Sequence, residues 1–248
     1  MKKKLLIQDS GIKILILGVD GMLGHKVYEE LSKNSYKVYS TSRNSNGKKN
    51  KYFFKNVNIL KTGQILNIIK KVKPNYVINC TGIIKQKLQS KKKNNLFWVN
   101  TNFPIYLDKY SKKLNYNHIH FSTDCVFDGS KGNYTEKDKP NAKDEYGRSK
   151  QKSEDKIKKN SFVIRTSIIG HEKNRSKKSL LNWFLSQKKD CYGFKNAYFS
   201  GVTTLELSKI ITNIIKNKKF DKGLYNLSSK KISKYQLLKM IKAKYKKK

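Results

Sequence analysis

A phenol and an ammonium stand four residues apart in Tyr146-Gly147-Arg148-Ser149-Lys150. On a helix that spacing puts both groups on one face. A cation beside a tyrosine hydroxyl lowers its pKa, toward what a proton donor needs near neutral pH. The spacing alone is unspecific, because lysine is abundant enough to produce such pairs by chance. A second pair, Tyr235 with Lys239, falls in a C-terminal helix and is expected only to pack. Position favours Tyr146. It follows a run ending Ser122-Thr123-Asp124, which as a strand would deliver the Thr123 hydroxyl to the carboxyl edge of a sheet, where α/β proteins bind ligands. The alternative is a helix tyrosine beside a surface lysine.

A second group of residues has the character of an anion cradle. Gly18-Val19-Asp20-Gly21-Met22-Leu23-Gly24 follows the apolar run IKILIL and opens an amphipathic stretch. Glycines allow the tight turn and the approach of a pyrophosphate, which the following helix N-terminus stabilises. NAD-binding proteins usually place an acid at the end of the next strand to hold the ribose 2′-hydroxyl. Here that stretch is Ser40-Thr41-Ser42-Arg43, with no acid from 37 to 50. Hydroxyls and a guanidinium suit a 2′-phosphate, so NADP(H) is expected over NAD(H).

The elements that must hold these groups read as alternating strands and helices. Buried, β-branched runs at 12–18, 37–42, 75–80, 118–123 and 161–167 read as strands, with KYFF (51–54) as a further one if it pairs. Helical stretches fall at 22–33, 62–73 (closed by Pro74), 94–113 (bent near Pro104) and 143–159. Strands without polar alternation imply a parallel sheet covered on both faces. The expected fold class is α/β, a Rossmann-type doubly wound parallel sheet. After residue 167 the pattern turns mostly helical, with short strands such as 223–228, and suggests a small C-terminal unit.

With 248 residues the chain can bury a sizeable core. It has 56 Lys+Arg against 17 Asp+Glu, for a formal charge of +39. Only four of the basic residues are Arg (Arg43, Arg148, Arg165, Arg175), and the lysines are spread along the chain. Base and phosphate recognition favours the guanidinium, so the charge reads as solvated faces and no specific nucleic acid is expected. No run reaches the ~18 apolar residues that span a bilayer. The apolar stretch Leu5–Ile7 is broken by Gln8 and Asp9, so neither a signal peptide nor membrane insertion is expected, and the setting reads as cytoplasmic. Cys80, Cys125 and Cys191 are scattered, which argues against a disulfide framework or zinc site. His118 and His120 share a strand face with no third ligand nearby, and no metal is expected.

Further motifs carry a resemblance. They are Asn79-Cys80-Thr81-Gly82, Ser122 through Gly129, Tyr134-Thr135-Glu136, Tyr146 through Lys150, and Arg165-Thr166-Ser167. With the glycine run 18–24, they make the sequence similar to the extended short-chain dehydrogenase/reductase superfamily over about 12–244. Within it the chain resembles the dTDP-4-dehydrorhamnose reductases and related nucleotide-sugar 4-ketoreductases. The resemblance implies a catalytic set of Thr123, Tyr146 and Lys150, in which Tyr146 protonates a reduced ketone, Thr123 bonds the same oxygen, and Lys150 holds the nicotinamide ribose and acidifies Tyr146. Candidate cofactor contacts are Gly18, Gly21, Met22, Leu23, Gly24, Ser42, Arg43, Asn58, Cys80, Thr81 and Gly82, with Tyr146 and Lys150. Candidate substrate contacts are Lys85, Thr123, Cys125, Val126, Tyr146 and Ile168. Asn182, Trp183 and Phe184 could line a nucleotide pocket, or Trp183, at helical spacing from Leu180, could pack in the core.

The implied division is an NADP-binding Rossmann domain at 1–167, with 1–11 as an N-terminal extension, and a substrate-binding region at 168–248. The implied partner is a nucleotide-sugar substrate, with a homodimer possible, and the implied role lies in surface-polysaccharide sugar synthesis. The chain departs from rhamnose-forming reductases at Cys125, where Tyr is common, and at Ile168, where an aromatic is common. It departs also in the turn Gly82-Ile83-Ile84-Lys85-Gln86. The resemblance therefore does not specify the ketosugar. Two other roles share these motifs: a nucleotide-sugar epimerase or dehydratase, and a non-catalytic NADP-binding regulatory subunit.

Overall fold

The computed structural model describes residues 10–44, 51–85, 95–173 and 179–247. Segment 1–9, most of the expected N-terminal extension, lies outside the described residues, as do Gln86 and Arg175.

Short aliphatic runs form the middle of the sheet because they are too short for helices and can be buried on both sides. In β1 (Lys13–Leu17), residues 14–17 are all buried, and in β4 (Tyr76–Asn79) and β6 (Phe162–Arg165) every residue is buried. With β2 (Lys37–Thr41), β3 (Phe53–Phe54), β5 (Asn117–Ser122) and β10 (Gly223–Asn226) they build a seven-stranded sheet in the order β10-β6-β5-β4-β1-β2-β3. All its pairings are parallel. This is the doubly wound Rossmann order, which reverses direction between β1 and β4 and opens a crevice at the carboxyl ends of those strands.

Helices cover both faces. On one side α1 (Gly24–Leu31) and α6 (Thr204–Lys216) pack on each other and on Ile14, Ile16, Ile78 and Ile164. On the other, α2 (Thr62–Val72) and α3 (Phe103–Lys113) cover Leu15, Leu17 and Val77. The apolar stripe of α2 is Ile65, Ile68, Ile69 and Val72, at the spacing of one helix face. The bend expected near Pro104 takes the form of a π-helical turn, Trp98–Asn102, after which α3 begins with Pro104 in its first turn. Proline has no N–H to continue the ladder, and the wide turn absorbs the mismatch.

The KYFF run does pair, as β3 beside β2. Beyond residue 167 the chain divides. The short strands β7 (Ile168–Ile169) and β9 (Val202–Thr203) pair with each other, and α6 and β10 then return to the main layers. A separate small core forms where Leu181 and Phe184 of α5 (Leu180–Ser186) meet Leu237, Leu238 and Ile241 of α7 (Lys234–Lys244). The strands β8 (Tyr198–Phe199) and β11 (Ile232–Ser233) pair antiparallel beside it. No helix among the described residues is long and apolar enough to cross a membrane.

The helix α4 (Glu145–Ile157) is held to β6 by a buried ion pair. Arg165 Nε lies 3.1 and 3.0 Å from the two Glu154 oxygens and Nη2 lies 2.7 Å from Oε2, with both side chains almost fully enclosed. Burial pushes the Glu154 carboxyl above its ordinary pKa, and the guanidinium opposes that. Removing one partner leaves a buried charge uncompensated. Glu154→Gln is therefore expected to destabilise the fold by about 3–5 kcal/mol in urea unfolding, with the double variant Glu154→Leu/Arg165→Met recovering most of the loss.

Candidate active site

The turn after β1 is shaped by its glycines. Gly18 has φ +86°, in the left-handed region that favours glycine, and a Cβ at Gly24 would sit 2.2 Å from the Gly18 carbonyl oxygen. The helix α1 follows with Leu23 as its N-cap and no side-chain cap. The N–H groups of His25, Lys26 and Val27 are bonded to the Gly21 and Leu23 carbonyls, which, among the described residues, leaves those of residues 22–24 for an anion. That combination fits the pyrophosphate of a dinucleotide. Gly21 is exposed and Met22 half-buried, whereas Leu23 turns its side chain into the core, leaving only backbone to offer a ligand. On the far wall the Asn79 carboxamide oxygen accepts from the Thr81 N–H (3.1 Å) and hydroxyl (2.6 Å), which sets the Cys80-Thr81-Gly82 turn. Burial pushes the Cys80 thiol pKa far up, so it stays protonated. Ser42 is buried at the end of β2, and Arg43 is exposed beside it. Asn58 is exposed and caps its own turn by accepting from Leu60 N–H (3.0 Å).

The three expected catalytic groups converge at the end of β5. Thr123 follows the strand directly and caps a short 3₁₀ turn, Asp124–Val126. The helix α4, capped by Asp144, brings Tyr146 in its first turn to the same place, with the phenol near enough to Thr123 for its hydroxyl to pull the phenol's pKa down. Gly147 permits this, since a Cβ there would lie 2.2 Å from the Cys125 carbonyl oxygen. One turn on, Lys150 is 5 % exposed and its Nζ donates to the Phe121 carbonyl at 2.9 Å. The same Nζ would be 3.8 Å from a Cβ on Gly82, so the ammonium sits at the crevice wall.

The electrostatics differ from the sequence expectation. The groups that dominate the Tyr146 phenol do not include Lys150. Burial holds the phenol well above its ordinary value, the neighbouring Cys125, Asp124 and Asp144 push the same way, and the nearby Thr123 hydroxyl pulls down. The ammonium is engaged with a main-chain carbonyl instead. Burial also pushes Lys150 down to about 8, against the pull of Glu154.

Other expected residues fall in varied places. Lys85 is exposed and ion-paired to Asp144 (2.9 Å), the cap of α4. Cys125 is exposed at the mouth. Val126 is a correction to the substrate set: its side chain is fully buried and its carbonyl accepts from Asn141 N–H, so it presents nothing to a ligand. Ile168 is half-buried and packs against the α1–α6 core. Trp183 is not core but 37 % exposed, while its neighbours Leu181 and Phe184 fill the small core. His118 and His120 are fully buried, bonded to Ser161 (2.8 Å) and Asn79 (3.2 Å), and burial pushes His118 down to about 3 and His120 well below its usual range.

Two residues of the site were missed. Asn100, fully buried in the π turn, brackets Ile83 through its N–H and C=O (both 2.9 Å) and donates to Ser149 of α4 (3.1 Å). It thereby locks the Gly82 turn to the catalytic helix. Asp124 accepts from Ser167 at 2.7 Å through both oxygens, tying the end of β5 to the segment after β6. The only sequence signal for Asn100 was its position four residues before Pro104.

A family model described as RmlD substrate binding domain matches residues 12–248. The chain is 26% identical over 171 residues to methionine adenosyltransferase 2 subunit beta of Bos taurus, covering 67% of this chain and 50% of that protein. It is 27% identical over 227 residues to dTDP-4-dehydrorhamnose reductase of Aggregatibacter actinomycetemcomitans, covering 87% of this chain and 73% of that one. The crystal structure of a hypothetical dTDP-4-dehydrorhamnose reductase from Sulfolobus tokodaii superposes with a TM-score of 0.79 at 26% identity, covering 94% of this chain and 82% of that chain. The chain spans about half the length of most of the curated relatives it matches.

A buried ammonium weakens the fold that holds it. The folded pKa of Lys150, about 8, lies below its ordinary 10.5. Between those values the unfolded chain binds more protons, so stability rises with pH across that window. Lys150→Met is expected to raise stability near neutral pH by about 1–3 kcal/mol. That advantage should be full below about pH 8 and fade toward 10.5, as read from thermal melts of both proteins across the range.

Proposed function

The chain belongs to the RmlD substrate binding domain family, and on that premise we propose that it is a nicotinamide-dependent reductase of the 4-keto group of a nucleotide-linked 6-deoxyhexose. Such an enzyme would act in the cytoplasm, as a monomer or homodimer, in the making of surface-polysaccharide sugars. The observation that carries this reading is the convergence of Thr123, Tyr146 and Lys150 beside a glycine turn suited to a pyrophosphate.

Reduced nicotinamide, when bound, supplies the hydride. Tyr146 then gives its phenolic proton to the ketone oxygen, and its raised pKa keeps that proton in place at neutral pH until an oxyanion develops. Thr123 would hydrogen-bond the same oxygen and stabilise its developing charge. Lys150, cationic below about pH 8, would leave the Phe121 carbonyl to hold the nicotinamide ribose and to stabilise the phenolate until solvent reprotonates it. Asn100 holds the Gly82 turn and α4 in register.

The region 168–248 would supply most of the sugar-nucleotide contacts, with Cys125 and Lys85 at the mouth. A nucleotide diphosphate would be drawn in by the chain's positive field. Arg43 would offer a guanidinium to a 2′-phosphate, as NADP(H) requires, but the Ser42 hydroxyl beside it is engaged by the carboxylate of Asp20.

Similarity to methionine adenosyltransferase 2 subunit beta favours a second reading, in which the chain holds a dinucleotide as a subunit of another enzyme. Oxidation of NADH and NADPH, followed against a panel of dTDP- and UDP-linked 4-ketohexoses, separates the two. Ketosugar-dependent consumption is expected, with Tyr146→Phe lowering kcat by about 10²–10⁴ and Thr123→Val by about 10². No consumption with any sugar overturns the reductase. A stable complex with a synthetase would then support the subunit, and tightly held NAD without net oxidation would support an epimerase or dehydratase.

A further inference from the structure

The glycine turn carries a carboxylate that its shape does not require. Asp20 lies between Gly18 and Gly21, and its Oδ2 accepts the Ser42 hydroxyl proton at 2.5 Å, across 22 residues of sequence. Ser42 is the first residue past β2, the position at which dinucleotide folds that bind NAD usually present their own acid to the ribose. The carboxylate is held there. Gly18 N–H donates to the Thr41 hydroxyl (3.3 Å) and Val19 N–H to the Thr41 carbonyl (3.1 Å), fastening the turn to the end of the strand.

The Ser42 hydroxyl is also fully occupied, since it accepts from Asn44 N–H (3.0 Å) while giving its proton to Asp20. It has no O–H left to offer a phosphate. Asp20 is half-buried, and its second oxygen has no hydrogen-bond partner among the described residues. Arg43 is exposed and forms no ion pair with Asp20 among the described residues. The acid missing from 37–50 is thus supplied from the other strand's turn.

We infer that Asp20 is the specificity-determining residue for the dinucleotide, accepting the adenine-ribose 2′-hydroxyl and repelling a 2′-phosphate, so that the chain takes NAD(H) in preference to NADP(H). This rests on the dinucleotide reading of the glycine turn and not on the ketosugar chemistry. It reverses the preference that the residues of 37–50 suggest by themselves, because the hydroxyl counted there in favour of a phosphate is committed to a carboxylate.

The test is binding, measured on the full chain by quenching of intrinsic fluorescence with NADH, NADPH, ADP-ribose and 2′-phospho-ADP-ribose. The wild-type chain is expected to bind each 2′-hydroxyl ligand about 10-fold or more tightly than its 2′-phosphate counterpart. Asp20→Asn, which keeps the shape and removes the charge, should shift that ratio at least about 10-fold toward the 2′-phosphate ligands. Tighter wild-type binding of NADPH than NADH overturns the inference without any variant being needed. An unchanged ratio in Asp20→Asn overturns it while leaving the dinucleotide site intact, and binding of none of the four ligands overturns both.

Discussion

The structure turns on how closely α4 lies against the end of β5. At Gly147 there is no room for even a methyl group beside the Cys125 carbonyl. That approach lets the residue before Gly147 meet Thr123 and the residue three after it reach the Phe121 carbonyl and the Gly82 turn. The helix is fixed at both ends. Asp144 caps it and bonds Lys85, and the Glu154–Arg165 pair holds it to β6. Asn100 fastens its middle to the loop after β4. A phenol and an ammonium one turn apart become a site only because the helix that carries them cannot slide.

The same constraint sets the charges. Enclosed between α4 and the sheet, the phenol resists ionising and the ammonium tends to lose its proton, both through burial. These are the states of a proton donor awaiting an anion and a cation that gains from a polar partner. A chain of formal charge +39 keeps its few carboxylates in this region in structural duties: Glu154 on Arg165, Asp124 on Ser167, Asp144 on α4 and Lys85. Asp20 stands apart by its place, on the hydroxyl of the residue that follows β2, where the proposed dinucleotide would present its adenine ribose.

Much of this was legible from residues close together in sequence. Buried strands declare themselves by aliphatic runs too short for helices, and the observed β1, β2, β4, β5 and β6 fall within a residue or two of the expected limits. The glycine turn and Thr123, Tyr146 and Lys150 are local patterns read against those strands. What could not be read depends on contacts far apart in the chain. Val126 belongs to a motif yet is buried by its surroundings, and Trp183 is exposed because Leu181 and Phe184 take the inward face of α5. The return of β10 to the main sheet depends on α6 packing against α1. Lys150 bonds a carbonyl 29 residues away. The acid that matters near the ribose sits at position 20, outside the stretch where such acids are sought.

Whether Tyr146 and Lys150 face one nicotinamide site at the Gly82 wall is decided by a crystal structure of the chain grown with NADH. The nicotinamide ribose is expected against Gly82, with Lys150 Nζ at about 2.7–3.2 Å from a ribose hydroxyl and the Tyr146 hydroxyl directed at the open face of the ring. A dinucleotide bound the other way round, or one whose ribose leaves Lys150 on the Phe121 carbonyl and Tyr146 turned from the ring, would contradict it.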